Sequence, residues 1–148
     1  MQPIMEINLH GDKYWYLNGQ RHREDGPAVE YADGTKYWYL NGQLHRVDGP
    51  AIERANGTKS WFLNGKCHRE DGPAIEYANG DKYWFLNGQR HREDGPACEY
   101  ADGSKFWYLN GKLLTQEEHR ARMSPVKELT MAELSALLGY EVKIVKES

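Results

Sequence analysis

Cysteine is scarce. Cys67 and Cys98 are the only two in 148 residues, and they share no partner spacing. That excludes a disulfide framework or a zinc cluster and points to a reducing, cytoplasmic setting. Charge of one sign is also lacking: 19 basic residues face 22 acidic ones, a net charge of −3. No field for a polyanion is implied. No apolar run is long enough to cross a bilayer, and Met1–Leu9 has neither the basic start nor the apolar stretch of a secretory leader. A glycine-rich phosphate loop, a nucleophile elbow and zinc-ligand spacing are all missing. No cofactor or metal is expected, and the chain reads as non-enzymatic.

What is present is repetition. GDKYWYLNGQRHREDGPAVEYAD (11–33) recurs with few changes at 34–56, 57–79 and 80–102, and a partial fifth copy runs to Leu114. A fixed 23-residue period means stacked units that each contact their neighbours, rather than one globular core. Five Trp and ten Tyr set against a mean hydropathy of −0.86 suit a thin sheet. Within a unit, Lys-Tyr-Trp-Tyr-Leu is strand-forming, and Asn-Gly after it is a strong hairpin signal because both residues tolerate positive φ. Asp-Gly-Pro, then Ala-x-Glu-Tyr-Ala, then a second Asx-Gly leave no room for a helix. The expected fold class is mainly β: an elongated antiparallel β-meander of stacked repeats (11–114), behind an N-terminal capping strand (1–10) and before a small α/β cap (115–148).

If Asp33-Gly34 is a two-residue turn, Tyr31 pairs with Lys36, Glu30 with Tyr37 and Val29 with Trp38. Alternation then puts Trp38, Leu40, Val29, Tyr31 and Lys36 on one face, and Tyr37, Tyr39, Glu30, Ala28 and Ala32 on the other. Whether Gln20–Glu24 forms a third strand is open at this level. Beyond Leu114, Thr115–Met123 reads as a helix stopped near Pro125. Thr130 and Glu133 form a capping box for a second helix, with Met131, Leu134, Leu137 and Leu138 as its apolar stripe and Gly139 at its end. Glu141–Lys146 alternates like a last strand. The tail is expected to dock on the final repeats and close the open sheet edge.

Trp15, Gly19, His22, Gly26 and Gly34, with their equivalents in each copy, resemble the MORN repeat, which has the same unit length. The unbroken Tyr-Trp-Tyr-Leu, and His-Arg-Glu-Asp-Gly-Pro in place of His-Gly, mark a divergent relative. The resemblance implies a scaffold or binding role. The closing LTMAELSALLGYEVKIVKES also looks like tails of small bacterial and phage-encoded proteins.

His-Arg-x-Asp occurs four times (His22/Arg23/Asp25 and equivalents at 45, 68 and 91) and could suggest acid–base or metal chemistry. Four equal sets one repeat apart do not supply the groups of different pKa that catalysis needs. They read as stacking contacts, with an Arg–Asp ladder and an imidazole near each Trp. Departures from the repeat are the sharper signal. Leu44, Val47, Arg54, Ser60 and Cys67 all break the pattern, and Lys59 joins them because Arg54 faces it in the register above. Together with Tyr37 and Tyr39 of the tyrosine face they form the candidate binding residues. The expected partner is another protein, or a protein complex, whose surface the chain occupies as an inhibitor or scaffold. Self-association is a further option. Lipid-headgroup binding, or nucleotide or nucleic-acid binding on the tyrosines, is the alternative. Glu30, Glu53, Glu76 and Glu99, placed on the tyrosine face by that register, argue against nucleic acid.

Overall fold

The computed structural model describes residues 2–124, 130–139, 141 and 143. Among these, twelve strands form one antiparallel sheet whose order follows the chain, from Ile4–Ile7 to Lys112–Leu114. The β-meander with a small helical cap is therefore as expected.

Each copy contributes to two parallel strips. In the second copy, Lys36–Tyr37 and Ile52–Glu53 lie in the main sheet. Tyr39–Leu40 and Gln43–Leu44 make a separate hairpin. Trp38 is the joint between them: its N–H donates to Ala51 O (2.8 Å), and its carbonyl accepts from His45 N–H (3.0 Å). Each hairpin turn is Asn-Gly with both residues at positive φ, Asn41 at 50° and Gly42 at 76°. This two-residue loop sets Leu40 opposite Gln43. The open question about 20–24 resolves into a two-residue strand, Gln20–Arg21. Beyond it the chain bonds to the next copy, Arg23 N–H to Tyr39 O (3.0 Å) and Gly42 N–H to Arg21 O (2.9 Å).

The second turn differs from the expectation. Tyr31 N–H donates to Thr35 O (2.9 Å) and Gly34 N–H to Tyr31 O (3.0 Å), with Gly34 at φ 91°. That is a three-residue loop ending in a left-handed glycine, so Ala32 leaves its arm for the loop and the pairing shifts by one residue from that of a two-residue turn. Asp33 Oδ1 holds the loop by accepting from Thr35 N–H at 2.8 Å. The observed pairs are Glu30–Lys36 and Val29–Tyr37. A slip of one residue moves side chains to the opposite face. Glu30 therefore leaves the tyrosine face and joins Lys36 and the tryptophans, while Val29 and Tyr31 join Tyr37 and Tyr39. The Arg54–Lys59 opposition also disappears, because Arg54 N–H bonds Thr58 O and Lys59 pairs with Glu53 and Glu76.

The interior is correspondingly thin. Ala28, Ala51, Ala74 and Ala97 are fully buried under the tryptophan side, and Val29, Ile52 and Cys98 are buried under the tyrosine side. Thr35 and Thr58 are buried too, their hydroxyls accepting from Ala55 and Ala78 N–H of the next copy. Asp12 and Asp81 do the same work for Ala32 and Ala101. At the start, Ile4–Ile7 pairs with Lys13–Leu17 and leaves Ile4, Ile7 and Leu9 exposed. At the other end, α1 (Gln116–Met123) begins in a complete capping box on Thr115 and Glu118 and packs on the last hairpin. Helix α2 (Met131–Leu138) has the expected Thr130/Glu133 box and Gly139 cap, but Leu137 and Leu138 of its stripe are exposed. The expected strand over 141–146 falls outside the described residues, apart from 141 and 143.

Candidate functional site

The two faces have different chemistry. On the tryptophan face each copy builds one closed unit. The Arg23 guanidinium lies 4.1 Å above the Trp15 ring. It donates to Asp25 (2.9 Å), Pro27 O (3.3 Å) and Glu30 (3.3 Å). On its other side is Gly26, where a Cβ would come within 2.9 Å of Arg23 Cζ. Arginine is thus held between an indole and a bare Cα, which explains glycine at this place in Asp-Gly-Pro. Three further copies repeat the unit around Arg46, Arg69 and Arg92. The guanidinium beside each of Asp25, Asp48, Asp71 and Asp94 holds that carboxyl below its usual range.

The Arg–Asp pairs therefore act inside each copy, and the imidazole is not the group that packs on Trp. The histidines link copies instead. Asn41 N–H donates to His22 Nδ1 (3.1 Å), and the Asn41 side-chain amide lies 2.9 Å from the same nitrogen. A backbone N–H only donates, so Nδ1 is the acceptor and the ring proton is on Nε2. The amide atom at that nitrogen is Oδ1, and with the ring proton on Nε2 a hydrogen bond there requires the reverse assignment of the amide's O and N. His45–Asn64, His68–Asn87 and His91–Asn110 repeat the contact, so each histidine grips the next copy's Asn-Gly turn. Nε2 of His22, His68 and His91 faces Glu24, Glu70 and Glu93 at 3.5–3.7 Å, whereas Val47 stands there in the second copy. Sequence reasoning missed both the Arg–Gly packing and the His–Asn link. The unbroken presence of Asn-Gly 19 residues after every such His was the available signal.

On the tyrosine face the rings interlock edge to face. Tyr14, Tyr31 and Tyr37 form one run (6.2 and 5.7 Å between centroids). Tyr77, Tyr83, Tyr100 and Phe106 form another (5.5, 5.5 and 5.7 Å). Arg21 sits over Tyr14 and Tyr39, and Arg90 over Tyr83, Phe85 and Tyr108. Arg90 Nε is buried with no hydrogen-bond partner among the described residues, so ring faces are its surroundings. Burial pushes Tyr83 up from its ordinary pKa.

Between the two runs is a gap. Leu44 and Cys67 stand where the outer copies have arginine, opposite Tyr39 and Phe62. Ser60, buried between Ile52 and Ile75, replaces the ring of Tyr37 or Tyr83. Arg54 replaces the ring of Tyr31, Tyr77 or Tyr100. Burial pushes the Cys67 thiol up to about 12. Six of the eight candidate residues (Leu44, Arg54, Ser60, Cys67, Tyr37 and Tyr39) therefore share this face. Val47, 82 % exposed, and Lys59 are on the tryptophan face.

Among the described residues, no three potential metal ligands cluster, and no helix is long and apolar enough to cross a membrane. No family model matches the chain, and no curated protein matches it either.

Proposed function

We propose that the chain is a non-enzymatic protein-binding repeat module that acts by occupying a partner's surface, as an inhibitor or scaffold, through the gap in the tyrosine face. The observation that carries this reading is the coincidence of four departures, Leu44, Arg54, Ser60 and Cys67, on one side of one junction. There the edge-to-face tyrosine run is interrupted between Tyr37 and Tyr77. A shallow break holding one arginine, bordered by tyrosines, combines the side chains most favoured at interface centres.

The test is to close the gap. Leu44→Arg, Arg54→Tyr, Ser60→Tyr and Cys67→Arg restore the outer copies' residues. The variant should keep its β circular dichroism and lose proteins that the wild type captures from native lysate. An unchanged set of captured proteins counts against the reading.

One observation favours a second reading. With the glutamates on the other side, the tyrosine face carries Arg21, Arg54 and Arg90 among rings. Arginine with stacked aromatics is how single-stranded nucleic acids are held. That reading requires binding of an oligonucleotide that weakens steeply with salt. A flat titration at low salt removes it.

A further inference from the structure

The tryptophan face contains clefts that neither the fold nor the reading above uses. Each lies between the His-Arg-x-Asp-Gly loops of successive copies, with a tryptophan and a leucine as floor. One holds Trp38 and Leu40, the next Trp61 and Leu63, the next Trp84 and Leu86. Their volumes are about 540, 720 and 730 Å³, enough for a few side chains each.

Their charge is one-sided at the surface. The arginines are tucked in, with 21–22 % of the side chain exposed, while Glu24, Glu70, Asp25, Asp48 and Asp71 point outward at 83–85 %. Each cleft thus has a tryptophan and a leucine at its floor, two largely covered arginines in its walls and exposed carboxylates at its rim. A backbone acceptor adds to this. The carbonyls of Arg23, Arg46 and Arg69 receive no hydrogen bond among the described residues. In the fourth copy the equivalent carbonyl is satisfied: His119 of α1 donates from Nε2 to Arg92 O at 2.7 Å, beside Asp94. The ring of His119 is buried there, and it helps hold the Asp94 carboxyl low. The chain's own cap therefore shows which group this position accepts, a basic side chain with an N–H to give.

Spacing selects the backbone that could deliver such groups to three clefts at once. Successive clefts are two main-sheet strands apart, about 9.6 Å at the usual strand separation. In a β-strand the residue three positions on, at about 10 Å, points to the opposite side, and an α-helix returns to the same side after seven residues, at about 10.5 Å. A polyproline II segment has three residues per turn and presents every third side chain to one side at about 9.3 Å.

We propose that the three clefts bind a basic polypeptide in polyproline II conformation, with a cationic residue at every third position entering one cleft each. This is independent of the tyrosine-face reading.

The test titrates the full chain, by tryptophan fluorescence and calorimetry, with an acetylated and amidated peptide of four Arg-Pro-Pro units. The control is four Arg followed by eight Pro, which has equal charge and composition. The periodic peptide should bind at least tenfold more tightly. Glu24→Gln/Glu70→Gln should weaken it about threefold to tenfold, and the gap-closing variant of the tyrosine face should bind it unchanged. Equal binding of the two peptides, no binding of either, or no effect of Glu24→Gln/Glu70→Gln overturns the proposal. Loss of binding in the gap-closing variant overturns its placement on the tryptophan face.

Discussion

Replacing Gly49 by alanine tests the arginine–glycine packing, because the sign of its effect should depend on a neighbour. Gly49 is not in the left-handed region, so alanine adopts its backbone without strain. An added Cβ would, however, lie 2.9 Å from Arg46 Cζ and 3.1 Å from Nε. The guanidinium cannot retreat, because the Trp38 ring is 4.1 Å away on the far side and Glu53 and Pro50 O hold it at 2.9 and 3.2 Å. Overpacking of this kind costs about 1–3 kcal/mol, against about 0.4–1 kcal/mol that alanine gains by restricting the unfolded chain. Gly49→Ala should therefore destabilise by about 1–2 kcal/mol, a fall of about 2–8 °C in Tm for a chain of this length. Arg46→Ala alone should cost about 2–3 kcal/mol, through the ring contact and the charged hydrogen bonds. In that background the obstacle is gone, and Gly49→Ala should become neutral or stabilise by about 0.5 kcal/mol. Urea unfolding of the four proteins of this cycle measures the coupling. An equal penalty for Gly49→Ala with and without Arg46 would refute the packing account.

Removing a histidine link should act between copies. His68→Ala leaves Asn87 N–H without its acceptor and should cost about 1–2 kcal/mol, with faster hydrogen exchange at Asn87; unchanged exchange there would contradict the link. The thiols of Cys67 and Cys98 are raised by burial, so Ellman's reagent at pH 8 should label the folded chain far more slowly than the urea-unfolded chain. Equal rates would show the thiols to be open. Asp25, Asp48, Asp71 and Asp94 have lowered folded-state pKa values, so their contribution is full above the ordinary carboxylate pKa of about 4 and is lost as pH falls below it. A pH series of urea midpoints should fall below pH 4 and fall less steeply in Asp48→Asn/Asp71→Asn.

The sequence was most legible where a residue pair has one common use. Asn18-Gly19 takes both residues to positive φ, and the hairpin around it has the expected two-residue loop. The helix cap at Thr130 was readable for the same reason, whereas Thr115, read as the first residue of its helix, proves to be the cap. Asp33-Gly34 was ambiguous, because an Asx-Gly pair also closes a three-residue loop in which only the glycine is left-handed. That single residue decided the faces: Glu30 lies with Trp15 and Arg23, not with the tyrosines. The departures at Leu44, Arg54, Ser60 and Cys67 stood out from the repeat. Their position on one face did not, because it depends on the register. The Arg23–Gly26 contact and the His22–Asn41 link are long-range side-chain geometry, for which strand alternation holds no information.

Every reading of the two faces depends on the Glu30–Lys36 pairing, and a cross-strand disulfide measures it directly. With Cys67→Leu and Cys98→Val, each borrowed from another copy, Glu30→Cys/Lys36→Cys brings two thiols face to face across the strands. Air oxidation should close that disulfide and leave Glu30→Cys/Tyr37→Cys reduced. A disulfide that forms only in the second pair would return the glutamates to the tyrosine face and contradict the account.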